Sequence, residues 1–320
     1  MGAIQYRPFD VDDMAAVCEL LNLANAADGE QMVMQVEELV EDIGPPAVEV
    51  ASDTLAAMLD DKIVGVAWTY YLPSAEREER CYVFGTVHPH HRASGIGHHL
   101  MSWGTAHAST LLRSSGSELP KYVRAEALEQ SHTALDLFSN VGLAPIRYFE
   151  TLVRALGDLT PVADVDGITI VPWPSARSTE ILVTKNTAFA SHWGSTPTSA
   201  VIWSHKTEGF GARADWSFVA VDSGDNIVGL CLTHRYEADD EILGRRVGWI
   251  DTLGTLAEWR RRGVAAALIN TALRRYRDLG LTHAALVVDN ASPTGANRLY
   301  ASLGFEQFKR TVTYQAQVPR

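Results

Sequence analysis

Two stretches of the chain, Val87–Gly97 (VHPHHRASGIG) and Thr255–Ala265 (TLAEWRRRGVA), carry the same punctuation. Each has an arginine, two residues, a glycine, one residue and then glycine or alanine, with a β-branched residue five positions before the arginine. The rest of the sequence repeats in the same register. Ile4–Phe9 (IQYRPF) returns as Ile168–Trp173 (ITIVPW), and Asp61–Gly65 (DKIVG) as Asp225–Gly229 (DNIVG), both 164 positions later. Arg92 and Arg260 are 168 apart, and Gly142-Leu143 precedes Gly304-Phe305 by 162. Four anchors in one order, with small insertions between them, mark a tandem duplication. One unit must therefore be foldable twice from about half of the 320 residues, a length that suits two domains each with its own core.

Each half reads alike. A short strand (Ile4–Arg7; Ile168–Val171) runs through Pro8 or Pro172 into a helical region, and a hairpin turns at Asp61-Lys62 or Asp225-Asn226. A strand then feeds the arginine–glycine loop (Tyr82–Val87; Trp249–Thr255), and a helix follows over about 96–112 and 264–279, with Gly280 closing the second. A further strand (Tyr122–Ala127; His283–Asp289), a short helix ending at Gly142 or Gly304 and a last strand complete the order β-α-β-β-β-α-β-α-β. The expected domains are 1–156 and 168–320, joined by a linker over 157–167 that is rich in Asp, Pro and Gly.

Composition narrows the function. With 46% hydrophobic and 21% charged residues this is an ordinary globular chain. Its net charge of −12, with no basic run longer than Arg260–Arg262, argues against a nucleic-acid partner. Cys18, Cys81 and Cys231 make no metal or redox spacing, so a reducing, cytoplasmic setting is expected. No apolar run reaches the ~18 residues of a membrane span, and the start (MGAIQ) reads neither as a signal peptide nor as a myristoylation site. His88, His90, His91, His98 and His99 crowd the first loop, but their spacing assures no defined set of metal ligands, so no metal is expected.

A glycine four residues into such a loop lets backbone amides approach a ligand closely. The start of the following helix adds N–H groups and a favourable dipole for an anion, and a pyrophosphate suits both. The pattern resembles motif A of the GCN5-related N-acetyltransferases (GNAT), and the duplication resembles their tandem, mycothiol-synthase-like members. The resemblance implies two tandem GNAT domains, each a mixed, mostly antiparallel sheet flanked by helices, with acetyl-CoA as acyl donor. It implies cofactor contacts from Arg92, Ala93, Ser94, Gly95, Ile96 and Gly97 in the first half, and from Arg260, Arg261, Arg262, Gly263, Val264 and Ala265 in the second. The strands before the loops, Gly85–Val87 and Leu253-Gly254-Thr255, are expected to pair with the pantetheine arm.

The second half continues as Asn290, Asn297, Tyr300 and Gly304-Phe305, which resembles the closing signature of the family. It implies that Asn290 and Asn297 contact the cofactor and that Tyr300 acts as general acid to the leaving thiolate. The first half carries Leu128, Leu135 and Phe138 at those places, so it is expected to be non-catalytic. Where many members place a glutamate as base, this chain has Trp249, and Asp251 on the same strand is the candidate in its stead. Ser191–Gly194 (SHWG) lies in the segment that walls the acceptor site in this fold. The expected activity is N-acetylation of a primary amine on a small molecule by direct transfer, in a monomer or homodimer. The alternatives are a non-catalytic acyl-CoA-binding regulatory module and a mycothiol-synthase-like enzyme acting on an aminoglycoside-like pseudodisaccharide.

Overall fold

A computed structural model describes residues 3–159, 161, 164–292 and 295–319. The elements of the first half are β1 (Gln5–Arg7), α1 (Met14–Asp28), α2 (Val36–Asp42), α3 (Val50–Asp53), β2 (Thr54–Leu59), β3 (Lys62–Tyr71), β4 (Glu79–Val87), α4 (Ile96–Ser114), β5 (Lys121–Leu128), α5 (His132–Asn140) and β6 (Ala144–Ala155). The second half adds β7 (Ile168–Pro172), α6 (Ser178–Ala188), α7 (Ala200–Glu208), β8 (Phe218–Asp222), β9 (Ile227–His234), α8 (Asp239–Leu243), β10 (Val247–Thr255), α9 (Val264–Asp278), β11 (His283–Asp289), α10 (Ala296–Ser302) and β12 (Glu306–Gln317). The expected element order is present in both halves, and the first hairpin turns one residue earlier than expected, at Asp60-Asp61, both with positive φ.

The compact units do not coincide with the halves of the sequence. Unit 1 comprises Met1–Tyr148 with Thr311–Arg320, and unit 2 comprises Phe149–Arg310. The boundary expected at residue 156 is displaced because the last strands are exchanged. Phe149–Ala155 of β6 pair antiparallel with β11, in unit 2. Thr311–Gln317 of β12 pair antiparallel with β5, in unit 1. The linker expected over 157–167 holds no helix or strand among its described residues, but Leu159 and Val165 pack on the unit 2 core.

Unit 1 has strand order β1-β2-β3-β4-β5-β12 and unit 2 has β6-β11-β10-β9-β8-β7. In each, one pair is parallel (β4 with β5, β10 with β11) and the others are antiparallel. The helix after each loop forms because its apolar residues recur at helical spacing. In α9 these are Val264, Leu268, Ile269, Ala272, Leu273 and Tyr276, all buried. In α4 the equivalent stripe includes Gly104, where a Cβ would stand 2.4 Å from Val83 Cγ1, so the helix lies flush on β4. Strand β9 is buried along its whole length and forms the spine of unit 2.

The exchanged strand fills the core that receives it. Val312, Tyr314 and Val318 are buried in the unit 1 cluster with Phe138 and Leu143, and Tyr314 meets the Phe138 ring at 5.5 Å. Tyr314→Ala should therefore destabilise unit 1 by about 3–5 kcal/mol. Hydrogen exchange read by fragment should show faster opening in β4 and β5 and little change in β8–β9.

Candidate functional site

The parallel ladder between β10 and β11 runs only from Val247↔His283 to Ile250↔Leu286. Both strands continue, β10 to Thr255 and β11 to Asp289, without pairing to one another. Their outer edges stay occupied: β10 bonds to β9 as far as Thr255↔Gly229, and β11 to β6 as far as Asp289↔Phe149. The inner edges diverge into a cleft. The cavity there has a volume of about 510 Å³ and is lined by Asp251, Leu253, Gly254 and Thr255 on one side and by Val287, Val288 and Asp289 on the other.

The loop after β10 is shaped by two left-handed residues, Arg261 (φ 59°) and Gly263 (φ 92°). The first-half loop repeats this with Ala93 (φ 57°) and Gly95 (φ 88°). Arg260 braces the turn by donating from Nε to Thr255 O (3.1 Å) and from a terminal nitrogen to Ala188 O at the end of α6 (2.7 Å). Arg92 donates from Nε to Val87 O (3.2 Å) and ion-pairs Asp28 at the end of α1 (2.5 Å). These two arginines thus bind the protein itself and set the loop's shape. Arg262 lies over the Trp259 ring at 4.7 Å, while Arg260, Arg261, Gly263, Val264 and Ala265 line the cavity.

Gly263 caps α9 with no side-chain hydrogen bond, and the first intrahelical donation is that of Ala267 N to Gly263 O (2.9 Å). The N–H groups of Val264, Ala265 and Ala266 therefore lie before the helical ladder begins, at the positive end of a 15-residue helix. Thr255 Oγ1, buried at the cleft wall, has no hydrogen-bond partner among the described residues. Free amides, a positive helix end and an unpartnered hydroxyl are the donor set that a phosphate-bearing thioester requires, and the residues fit acetyl-CoA.

Tyr300, on α10, is 8% exposed and lines the cavity. Its ring packs on Phe305 at 6.0 Å, and its hydroxyl meets no hydrogen-bond partner among the described residues. Buried tyrosines ordinarily satisfy that group. Tyr276 of the same core does so, with its hydroxyl 2.8 Å from Thr233 Oγ1 and 3.2 Å from Trp249 O. Burial, with Cys231 nearby, pushes the Tyr300 phenol well above its usual range, so it stays protonated at neutral pH.

Asp251 stands in a β-bulge: the β10–β9 register slips between Ile250 and Thr252. A bulge re-aims a side chain, and simple alternation along the strand does not position this one. The regular β3–β4 ladder of unit 1 has no such slip. Lys206 Nζ lies 3.1 Å from Asp251 Oδ1 and 2.9 Å from Oδ2, and Thr252 Oγ1 donates to Oδ2 at 2.6 Å. Burial raises this carboxyl, but Lys206, His234 and the Thr252 hydrogen bond outweigh it, and the net pKa lies below the ordinary carboxylate range.

Asn297 Nδ2 donates to Asn290 O at 3.1 Å, joining α10 to the end of β11, and neither side chain is among the residues that line the cavity. Trp249, half-buried, lends its carbonyl to Tyr276. His192, from the segment expected at the acceptor site, does line the cavity. Phe149, Phe189 and Asp289 line it too and were not foreseen. Phe149 lies in the first half of the sequence, and only the strand exchange brings it here. Asp289 had a signal, since it precedes Asn290 at the end of a predicted strand.

In unit 1, β4 and β5 separate in the same way after Tyr82↔Arg124. A Cβ on Gly85 would stand 2.4 Å from Val66 O, so β3 and β4 approach closely there. Phe138 is buried, as are Leu128 and, in part, Leu135.

Residues 186–305 match the acetyltransferase (GNAT) family model. Over 335 aligned residues it is 27% identical to a mycothiol acetyltransferase of Parafrankia sp. (strain EAN1pec), covering 97% of this chain and 96% of that one. It shares its fold with a GCN5-related N-acetyltransferase from Sphaerobacter thermophilus (TM-score 0.77, 24% identity, 99% and 96% of the two chains). It also shares it with a tandem GNAT protein from the clavulanic acid biosynthesis pathway (TM-score 0.72, 18% identity, 99% of each chain). These matches support an N-acetyltransferase with the fold of tandem GNAT proteins, and the matched family uses acetyl-CoA as co-substrate. Among the described residues no helix is long and apolar enough to cross a membrane.

The positive φ of Gly263 sets a local test. Gly263→Ala has room, its nearest neighbour being Val165 Cγ2 at 3.4 Å, but must hold a left-handed backbone. It should cost about 1–2 kcal/mol in urea denaturation.

Proposed function

We propose that unit 2 transfers the acetyl group of acetyl-CoA directly to a primary amine of a small molecule, and that unit 1 does not catalyse. The observation that carries this reading is the Tyr300 hydroxyl on the cleft wall, which has no hydrogen-bond partner among the described residues, with the phenyl ring of Phe138 in its place in unit 1. Acyl transfer from a thioester needs an anchored donor, a neutral amine and a stabilised leaving thiolate. Amides of the Arg261–Ala265 loop and of the start of α9 take the pyrophosphate, and the unpaired edge at Leu253–Thr255 takes the pantetheine amides as an added strand would. In unit 1 the Arg92–Gly97 loop retains the conformation needed to hold a second acetyl-CoA.

Tyr300 donates its proton to the departing thiolate. A phenol raised by burial gives up its proton reluctantly, but a thiolate formed in the same apolar cleft is raised by the same desolvation, so the match survives. Asp251 faces the acceptor. Held as a carboxylate by Lys206, it has low affinity for a proton; it attracts the acceptor's ammonium and orients the amine, which loses its proton through water. A second reading, a mycothiol-synthase-like reaction, is favoured by the likeness over nearly the whole chain to the Parafrankia mycothiol acetyltransferase. The assay that decides between acceptors follows thiol release from acetyl-CoA across a panel of amines that includes aminosugar glycosides.

Tyr300→Phe should lower kcat by about 10²–10⁴-fold with little change in KM for acetyl-CoA. Full kcat in that variant, with chemistry rate-limiting, would remove Tyr300 from the mechanism. Gly263→Asp, which adds a negative charge at the pyrophosphate loop, should abolish acetyl-CoA binding at the unit 2 site, read by calorimetry as the loss of one binding event from the chain.

The depressed pKa of Asp251 gives a pH test. A carboxyl depressed in the folded state contributes stability above its unfolded pKa, and loses it only as pH falls through the lower folded value. It is therefore ionised throughout pH 5–9. Asp251→Asn should raise KM for the amine by about ten-fold or more, the worth of a charge-assisted hydrogen bond. The pH at which kcat/KM rises between pH 5 and 8 should be unmoved; loss of that limb in the variant would make Asp251 the base.

A further inference from the structure

Asp251 does not face the cleft alone. Lys206, on α7, donates from Nζ to both of its carboxylate oxygens, at 3.1 Å to Oδ1 and 2.9 Å to Oδ2. Asp251 lines the cavity and Lys206 stands behind it, with side chains 23% and 34% exposed, so a ligand can reach both charges. The root of Lys206 is fixed. Nε2 of the buried His234 lies 2.9 Å from the Lys206 carbonyl, which can only accept, so Nε2 carries the proton and Nδ1 accepts from the Tyr236 hydroxyl at 3.1 Å. Beyond that root, a flexible four-carbon stem lets the ammonium turn.

The pair accompanies the copy that carries Tyr300. Asp251 stands four residues before Thr255; the residue four before Val87 in unit 1 is Val83, which is buried in the core on a ladder without a bulge.

An ion pair and a lone carboxylate select different ligands. An amine that brings only an ammonium is drawn to Asp251 and repelled by Lys206 from nearly the same distance, so its gain is small. It would also leave the wall with one uncompensated positive charge in a partly buried place. An aminosugar glycoside is disfavoured on the same ground. A ligand that brings an ammonium and a carboxylate together exchanges one neutral pair for two and leaves no charge over. The spacing agrees: in an α-amino acid the nitrogen and the nearer carboxylate oxygen are roughly 3 Å apart, the separation of Lys206 Nζ from the Asp251 oxygens.

We infer that the acceptor of unit 2 is an α-amino acid, with its ammonium on Asp251 and its carboxylate on Lys206; this rests on the reading that unit 2 transfers an acetyl group in this cleft. The ammonium gives one proton to water, and the neutral nitrogen forms its bond to the acetyl carbon as the carbon–sulfur bond breaks. The nitrogen's second proton leaves to water, and the thiolate takes its proton from Tyr300, which solvent restores. The product keeps the carboxylate and has lost the ammonium, so Asp251 repels it and favours its release.

The test uses the full chain, saturated with CoA for calorimetry and supplied with acetyl-CoA for thiol release. A panel of α-amino acids is set against the amines left by their decarboxylation, beginning with leucine and isopentylamine. The amino acids should bind at least ten-fold more tightly and show kcat/KM higher by the same factor. Lys206→Gln should reverse the order, weakening the amino acids at least ten-fold and improving the amines, because Asp251 is released. Lys206→Arg should keep the original order, and Lys206→Met replaces Lys206→Gln if that variant does not fold. Amines that match or exceed the amino acids, failure of both series to bind, or a preference for amino acids that survives the loss of the Lys206 charge would each overturn the proposal. Amino acids that bind in this order without thiol release would uphold it and overturn acetyl transfer instead.

Discussion

The site in unit 2 depends on a ladder that stops. Parallel pairing of β10 with β11 ends at Ile250↔Leu286, yet both strands run on, because each is still held along its outer edge. A sheet edge normally must be paired, covered or charged. Here two inner edges are opened against one another inside the unit and do not pair with each other beyond Ile250↔Leu286. That opening makes the strand ends the walls of a cavity. It also explains why β9 is buried throughout and why β6 is needed at all: without those outer ladders the diverging strands would have nothing to hold them apart.

The loops that close the clefts are copies in conformation as well as in sequence. The left-handed pair falls on Ala93 and Gly95 in one unit and on Arg261 and Gly263 in the other. Both bracing arginines bond the carbonyl at the end of the preceding strand, and both reach the end of the first long helix of their unit. The partner differs, a carboxylate in one case and a main-chain carbonyl in the other, while the geometry is kept. The arginine is therefore part of how the turn is built.

Much of this was legible in the sequence because it is local. Helix α9 follows from a stripe of apolar residues, its start from Gly263 and its end from Gly280, and His283–Asp289 was placed as a strand to the residue. What was not legible depends on residues far apart. The exchange of β6 and β12 leaves no local trace, since each segment reads as a good strand wherever it pairs, and so Phe149 could not be assigned to the cleft of the other half. The bulge at Asp251 arises from pairing with β9, and the hold of Lys206 on that carboxylate joins residues 45 positions apart. Asp251 is named as a candidate from the sequence alone, but the ion pair that lowers its pKa is not legible there.

The two units show how the copies of a duplicated fold diverge at the same places in the sheet. Leu286 lines the cleft of unit 2 where its strands part. The corresponding position in unit 1 is Arg124, 1% exposed and bound to Glu78 and Gln315. A guanidinium buried at that point requires fixed partners, since an unpaired one would be costly, and one of them comes from the exchanged strand β12. The substitution therefore stiffens unit 1 at the place where unit 2 stays apolar and open. Phe138, which stands where unit 2 has Tyr300, packs on Tyr314 of β12 and is part of the core. In unit 1, positions that line the cleft in unit 2 are thus given over to holding β12, the strand that the second half of the chain supplies.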